Sequence, residues 1–551
     1  MKKNKLTHAL LALGVSLSVL AAGCSGASTP AGGGEGTQSS AGGTTGTEAK
    51  PQAGGTLTFA LEHEIVSLDP AFSYDFSTGP VVNQITEPLL RFKDGKTVVP
   101  NLAEKVENPD PKTYIYHIRQ GVTFHDGSPM TVDDVIFSLE RYRDSKTASY
   151  VAWMFSNVDK IEKADAWTVK VTMKQPDANW QYAMATSAGH VISKKYFEAH
   201  KDNFGKPDGG TMGTGPFKYV SWQTGSEVVL EKNQNYWNKE GGPYLDKIVY
   251  KVIPEGMTRV TGLKTGQINM ALNLPLDLQA VVEKMDTVKI SRSDSFLSDF
   301  IAFNNQRKPF DDVKVRQAIS HAFDRQKIAT ELLKDAGIVG KTVPIPPALW
   351  TMEKDKWEAA YNEIPDYALD IEKAKKLLSE SSVPTGFNAK ILTDGDSYRM
   401  NVALALQAAV KPLGINLEIE KVTGEELNTR AWGGARDYDI VVQNWSSDFP
   451  DPAGNMVPLF LSANAADGGS NFGNYKNPEV DKLLEEQNQL TDPVKRSELM
   501  IQAMKIIAND APWIVVSHQK NFLAMSKNVE GYEISPLYFW EGFMRDVKVT
   551  Q

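Results

Sequence analysis

Between residues 443 and 452 the chain reads Gln-Asn-Trp-Ser-Ser-Asp-Phe-Pro-Asp-Pro, which brings Trp445, Ser446, Asp448 and Asp451 close together. Two carboxylates and an aromatic face in one short segment suit the binding of a ligand on a rigid scaffold. The apolar run Tyr438 to Val442 ahead of it predicts a strand, and the Phe-Pro and Asp-Pro pairs force the backbone out of helix. The segment is therefore expected to form the floor of a cleft. A plainer alternative fits the same residues: the prolines make a turn and Trp445 fills the core.

Bond-breaking chemistry has few candidates. The only cysteine is Cys24, no Gly-x-Ser-x-Gly or His-Glu-x-x-His occurs, and His63, His117, His125, His190, His200, His321 and His518 show no ligand spacing. No cofactor and no metal site is expected. Gly213-Thr-Gly215 lacks a following helix, and Gly340-Lys-Thr342 has Asp335 where a P-loop needs glycine, so both read as turns. A hydrolase with two separated carboxylates stays open at this level.

The address lies at the front. Lys2, Lys3 and Lys5, an apolar run from Ala9 to Leu20 and small residues before Cys24 form a processing signal too short for a stable spanning helix. It resembles a bacterial lipoprotein signal, with Ala21 where leucine is more usual, and the resemblance makes Cys24 the lipidated first residue of the mature protein. Residues 24–53 are rich in Gly, Ser and Thr and cannot bury a core. As a flexible coil they would hold the folded part about 30 Å from its anchor. Loss of the three lysines in residues 1–23 takes the net charge from −9 to −12, which argues against a nucleic-acid partner.

The elements that must position residues 443–452 follow. Strands are expected at Thr56–Leu61, Tyr114–Arg119, Trp167–Met173 and Phe217–Val220, and a helix from Pro80 to Leu90. Thr131 and Asp134 have capping-box spacing ahead of Val135, Ile136 and Leu139. Longer amphipathic helices are expected at 312–333, 370–379, 402–410, 480–487 and 495–507, with Asp324-Arg325 on the polar face of the first.

Several stretches converge on one family. Tyr114 to Ser138, Gly213-Thr-Gly-Pro-Phe-Lys-Tyr219, Asn233 to Trp237, Val315-Arg-Gln-Ala318 and Asn471 to Asp481 resemble the dipeptide- and oligopeptide-binding proteins of ABC importers, solute-binding protein family 5. The resemblance runs in order from about residue 55 to the C-terminus. It implies a mixed α/β, bilobed fold of the type II periplasmic-binding-protein kind, with three interwoven domains and a hinged ligand cleft. Domain I would be 54–97, 205–295 and 513–551, domain II 98–204 and domain III 296–512.

The resemblance also implies roles. Asp448 would receive a peptide's α-ammonium, Trp445 and Ser446 would line the cleft, and Ser73, Tyr74 and Asp75 would touch the ligand from the opposite lobe. Arg399 lies within a residue or two of the position where dipeptide binders hold a carboxylate. The physics supports the first of these, because a buried ammonium needs a carboxylate. The implied protein is a monomeric, non-enzymatic, lipid-anchored extracytoplasmic carrier that delivers short peptides to a permease and its ATPase subunits. Relatives of the same fold take oligosaccharides, nickel chelates or glutathione, and these stand as alternatives beside a secreted hydrolase.

Overall fold

Strand Trp513–Ser526 is the axis of the molecule. Its Trp, Ile, Val, Phe and Leu residues favour extended backbone and are buried along most of its length. The first half pairs antiparallel with Leu297–Phe303 and Gly337–Val339, and the second half with Val288–Asp294 and Met270–Leu272. Neighbours therefore change near Ser517–Lys520, and a register shift at Asp299/Phe300 marks the place. In this computed structural model the described residues are 54–434 and 436–550. The expectations for the signal, Cys24 and the linker lie outside them.

The sheet grows from this axis in two directions to twelve strands. One half runs from Met270–Leu272 through Thr56–Leu61, Lys247–Val252 and Glu227–Lys232 to Phe217–Gln223. The other runs from Leu297–Phe303 through Ile440–Ser446 and Asn388–Thr393 to Asn416–Lys421. Trp513 stacks on Phe300 with ring centroids 4.0 Å apart, which fastens the second half to the axis. The chain crosses between the halves at Asp294–Leu297 and again along the axial strand.

A separate antiparallel sheet holds Ala103–Asp110, Thr113–Ile118, Thr168–Met173 and Val158–Asp165, in that order. Helix Val132–Arg143 buries Val135, Leu139 and Tyr142, and both hydrogen bonds of the Thr131–Asp134 capping box are present. Two orphan backbone donors are satisfied there, so the helix begins where the spacing puts it.

Three sequence expectations need correction. The helix expected over 80–90 is Gly79–Ile85, because Pro88 disfavours helical backbone at Glu87 and Glu87–Pro88 pairs with His190–Val191 instead. The helix expected over 312–333 is two, Val313–Ala322 and Arg325–Leu333. Asp324 breaks it by accepting from Lys327 N as a new N-cap, so it does not sit on a polar helix face. The helix expected over 402–410 is Ser397–Ala409, capped by Asp396, which places Arg399 inside its first turn instead of ahead of it.

Candidate functional site

Ile440–Ser446 is a strand, so Gln443, Asn444, Trp445 and Ser446 extend it where a loop was expected. Ile440, Val441 and Val442 are buried between neighbours, with Ile440 and Val441 pairing parallel to Ile391 and Leu392. Beyond Val441 the strand pairs with Leu297–Phe303 alone, Leu297 facing Ser446 and Asp299 facing Asn444. Its polar end therefore reaches out of the sheet with one edge unpaired by any described strand.

The turn that follows is held from within. Ser447 Oγ accepts from Phe449 N at 3.2 Å and donates to Phe449 O at 2.6 Å. Gly454 leaves room for that hydroxyl, since a Cβ there would stand 1.9 Å from Ser447 Oγ. Trp445 Nε1 donates to Gly454 O at 3.2 Å, and its ring lies against Trp432 and Phe472. Trp445 is half-buried, combining the core role and the cleft role that the sequence left open.

The two carboxylates of this segment part company. Asp451 is fully buried, caps Ala453 N at 2.9 Å and ion-pairs with Arg496 Nη1 at 2.7 Å, so it is structural. Asp448 faces a cavity of about 250 Å³ walled by Tyr74, Phe76, Trp432, Trp445, Phe539 and Trp540. Tyr74 Oη donates to Asp448 Oδ2 at 2.6 Å, and no Lys or Arg among the described residues pairs with Asp448. Burial pushes its carboxyl up to about 7, with the Tyr74 hydrogen bond acting the other way. The same burial, with Asp448 beside it, holds the Tyr74 hydroxyl far above its ordinary range.

The remaining expected residues separate similarly. Ser446 lines both this cavity and its larger neighbour. Asp75 lines the cavity from the other side while its Oδ1 accepts from Ser77 N and Thr78 N. Ser73 is fully buried; its carbonyl takes a 2.7 Å hydrogen bond from Ser187 Oγ, and it does not line the cavity. Arg399 lines the larger cavity, but its Nε and Nη2 donate to Asp394 at 2.9 and 2.7 Å. Phe76, Phe539, Trp540 and Asp299 were not anticipated. The aromatic run Tyr538-Phe-Trp540 was the available signal for two of them.

Among the described residues no group of three or more His, Cys, Asp or Glu could hold a metal ion, and no helix is long and apolar enough to cross a membrane. A sheet split about one strand, with a polar and aromatic cavity between segments far apart in sequence, defines a bilobed solute-binding protein. The chain belongs to the bacterial extracellular solute-binding proteins, family 5, whose middle-region profile matches residues 97–467. It is 31% identical to heme-binding protein A of Haemophilus influenzae, over 89% of this chain and 92% of that one. It is 29% identical to the oligopeptide-binding protein AppA of Bacillus subtilis, over 97% of both chains. The solved structure of the periplasmic binding protein DppA from Helicobacter pylori with peptide STSA superposes with a TM-score of 0.78 at 28% identity, covering 91% of this chain and 99% of that one.

Proposed function

We propose that this chain is the lipid-anchored, extracytoplasmic substrate-binding protein of an ABC importer, and that its cargo is di- or oligopeptides. One observation carries the reading: Asp448 is a carboxyl facing an aromatic cavity, with a tyrosine hydroxyl as its partner and no cation paired with it among the described residues. Such a group is unfavourably placed until a positive charge arrives, and the α-ammonium of a peptide supplies one. The unpaired edge of Gln443–Ser446 adds main-chain donors and acceptors that any peptide can use, whatever its side chains. Heme suits this wall less well, because its propionates would meet the Asp448 carboxyl with like charge.

In this reading the ligand touches Asp448 from one lobe and the Tyr74–Asp75 segment from the other, so its binding favours the closed form. Domain I is 54–97, 205–295 and 513–551, domain II 98–204 and domain III 296–512. Cys24 carries the lipid, the folded part acts as a monomer, and the permease with its ATPase subunits receives the cargo. No bond is broken: the protein binds and delivers.

Two measurements test this. Native mass spectrometry of protein purified without unfolding should find a heterogeneous set of short peptides. Titration calorimetry should then show that N-acetylation of a bound peptide removes most of its affinity. Equal affinity for the free and acetylated forms would remove Asp448 as the ammonium anchor, and a single non-peptide solute in the purified protein would replace the cargo.

A further inference from the structure

The cavity at Asp448 opens into a second one of about 620 Å³; Phe76, Leu297, Asn444, Ser446 and Phe539 line both. A peptide held by its ammonium at Asp448 therefore continues into this chamber. The charge of the chamber wall decides which side chains are welcome there.

That wall carries the carboxylates of Glu62, Asp277, Asp299, Glu331 and Asp396 against the cations Lys334, Arg399 and Lys520. Arg399 is already neutralised through its two-pronged hydrogen bonding to Asp394, with Asp396 a further 4.0 Å from its Nε. Arg259, 3.6 Å from Glu62, offsets one carboxylate from behind. Negative charge remains in excess, and the residue expected to meet a ligand's carboxylate already has Asp394 as its partner.

Asp299 gives the chamber its focus. It is 2% exposed, at the register shift where Leu297–Phe303 meets the axial strand. Ser517 Oγ and Gln519 Nε2 both donate to its Oδ2 at 2.8 Å, while its Oδ1 has no hydrogen-bond donor among the described residues. Burial pushes this carboxyl up to about 6, with the Gln519 and Ser517 hydrogen bonds and the nearby Arg399 charge acting the other way.

We infer that the chamber receives a lysine or arginine side chain with Asp299 as its counter-ion, so that the preferred cargo is a peptide with a second positive charge besides its ammonium. This rests on the peptide reading above and narrows it. Glu331 and Asp277, both exposed, attract the incoming cation to the rim, and Asp299 holds it inside.

The experiment is titration calorimetry of the protein at pH 7.5 with tetra-alanine and with tetrapeptides in which lysine or glutamate replaces alanine at position 2, 3 or 4. At least one lysine peptide should bind about tenfold or more tightly than tetra-alanine, and the matching glutamate peptide more weakly than either. Asp299→Asn should reduce the lysine advantage to below about threefold. Because Asp299 is buried, the double variant Asp277→Asn/Glu331→Gln gives a second reading on exposed positions, and it should lower the lysine advantage and its salt dependence. Equal affinities for the alanine, lysine and glutamate peptides would overturn the inference and leave peptide capture standing. Failure of every peptide to bind would overturn both.

Discussion

Tyr74 Oη lies 2.6 Å from Asp448 Oδ2, a hydrogen bond between residues 374 positions apart. It joins the two segments that wall the smaller cavity, and it fixes the carboxyl before any ligand arrives. The tyrosine satisfies one lone pair and brings no charge, so Asp448 has no cation paired with it among the described residues. Affinity should therefore depend on the protonation state of Asp448 and on the geometry that Tyr74 imposes.

Peptide affinity should depend on pH. In the peptide reading the ammonium is held by ionised Asp448, whose carboxyl is pushed up to about 7 by burial. Affinity should fall by up to about tenfold per unit below that value and level off above it, until the peptide's own amino group loses its proton at about 8. Calorimetry between pH 5 and 8 checks this, and Asp448→Asn should flatten the profile.

Stability of the empty protein should run the opposite way. The folded Asp448 carboxyl keeps its proton to a higher pH than the ordinary value of 3.8, so folding is favoured by acid and loses ground as pH climbs from about 4 to about 7. Asp299 and Glu541, pushed up to about 6 and about 7, add to the same trend. Thermal unfolding across that window should show the decline, and Asp448→Asn should remove only its own share.

Tyr74→Phe should weaken binding of free peptides by about 1 kcal/mol or a little more, the worth of one hydrogen bond to a charged group. It should also move the pH profile to higher pH, because the hydroxyl is what holds the Asp448 carboxyl down. A loss of affinity without that displacement would mean that the ring, and not the hydroxyl, makes the contribution.

Arg496→Met should cost about 3–5 kcal/mol in urea unfolding, since it strands a fully buried Asp451 without its cation. Adding Asp451→Asn should recover much of the loss. The same double variant should still distinguish free from acetylated peptides, because Asp451 does not line the cavity.

Phe449, next to Asp448, packs its ring on Tyr182 and Trp153, with centroids 5.8 and 5.9 Å away. Both partners belong to the part of the chain around the four-stranded sheet. Phe449→Ala should lower peptide affinity about tenfold or more by weakening the closed form. Small-angle scattering of the peptide-saturated variant should give a larger radius of gyration than the native complex.

Local signals in the chain were readable where one interaction decides the structure. Thr56–Leu61 is a strand with the limits its alternation implies, and the Thr131–Asp134 pair starts its helix. Reading failed where two signals competed. Phe323 continues the apolar stripe of 312–333 and hides the cap at Asp324. Gln443–Ser446 reads as loop because its residues are polar, yet they are a strand whose end faces a cavity. The loop at 73–75 and the segment at 445–448 could be singled out, but their meeting depends on strand order that no local pattern encodes. Asp394, five residues before Arg399, was the sign that this arginine has a partner.

The axial strand also constrains how the protein comes into being. Trp513–Ser526 follows every other strand of the large sheet in chain order among the described residues, and Met270–Leu272 and Leu297–Phe303 each have an edge that it alone fills. Until then the great sheet exists as two open fragments, and pairings that span more than 200 residues wait for the axial strand. Such topology folds slowly. The sheet therefore stays open during synthesis, and its two halves lock together only once the axial strand has arrived.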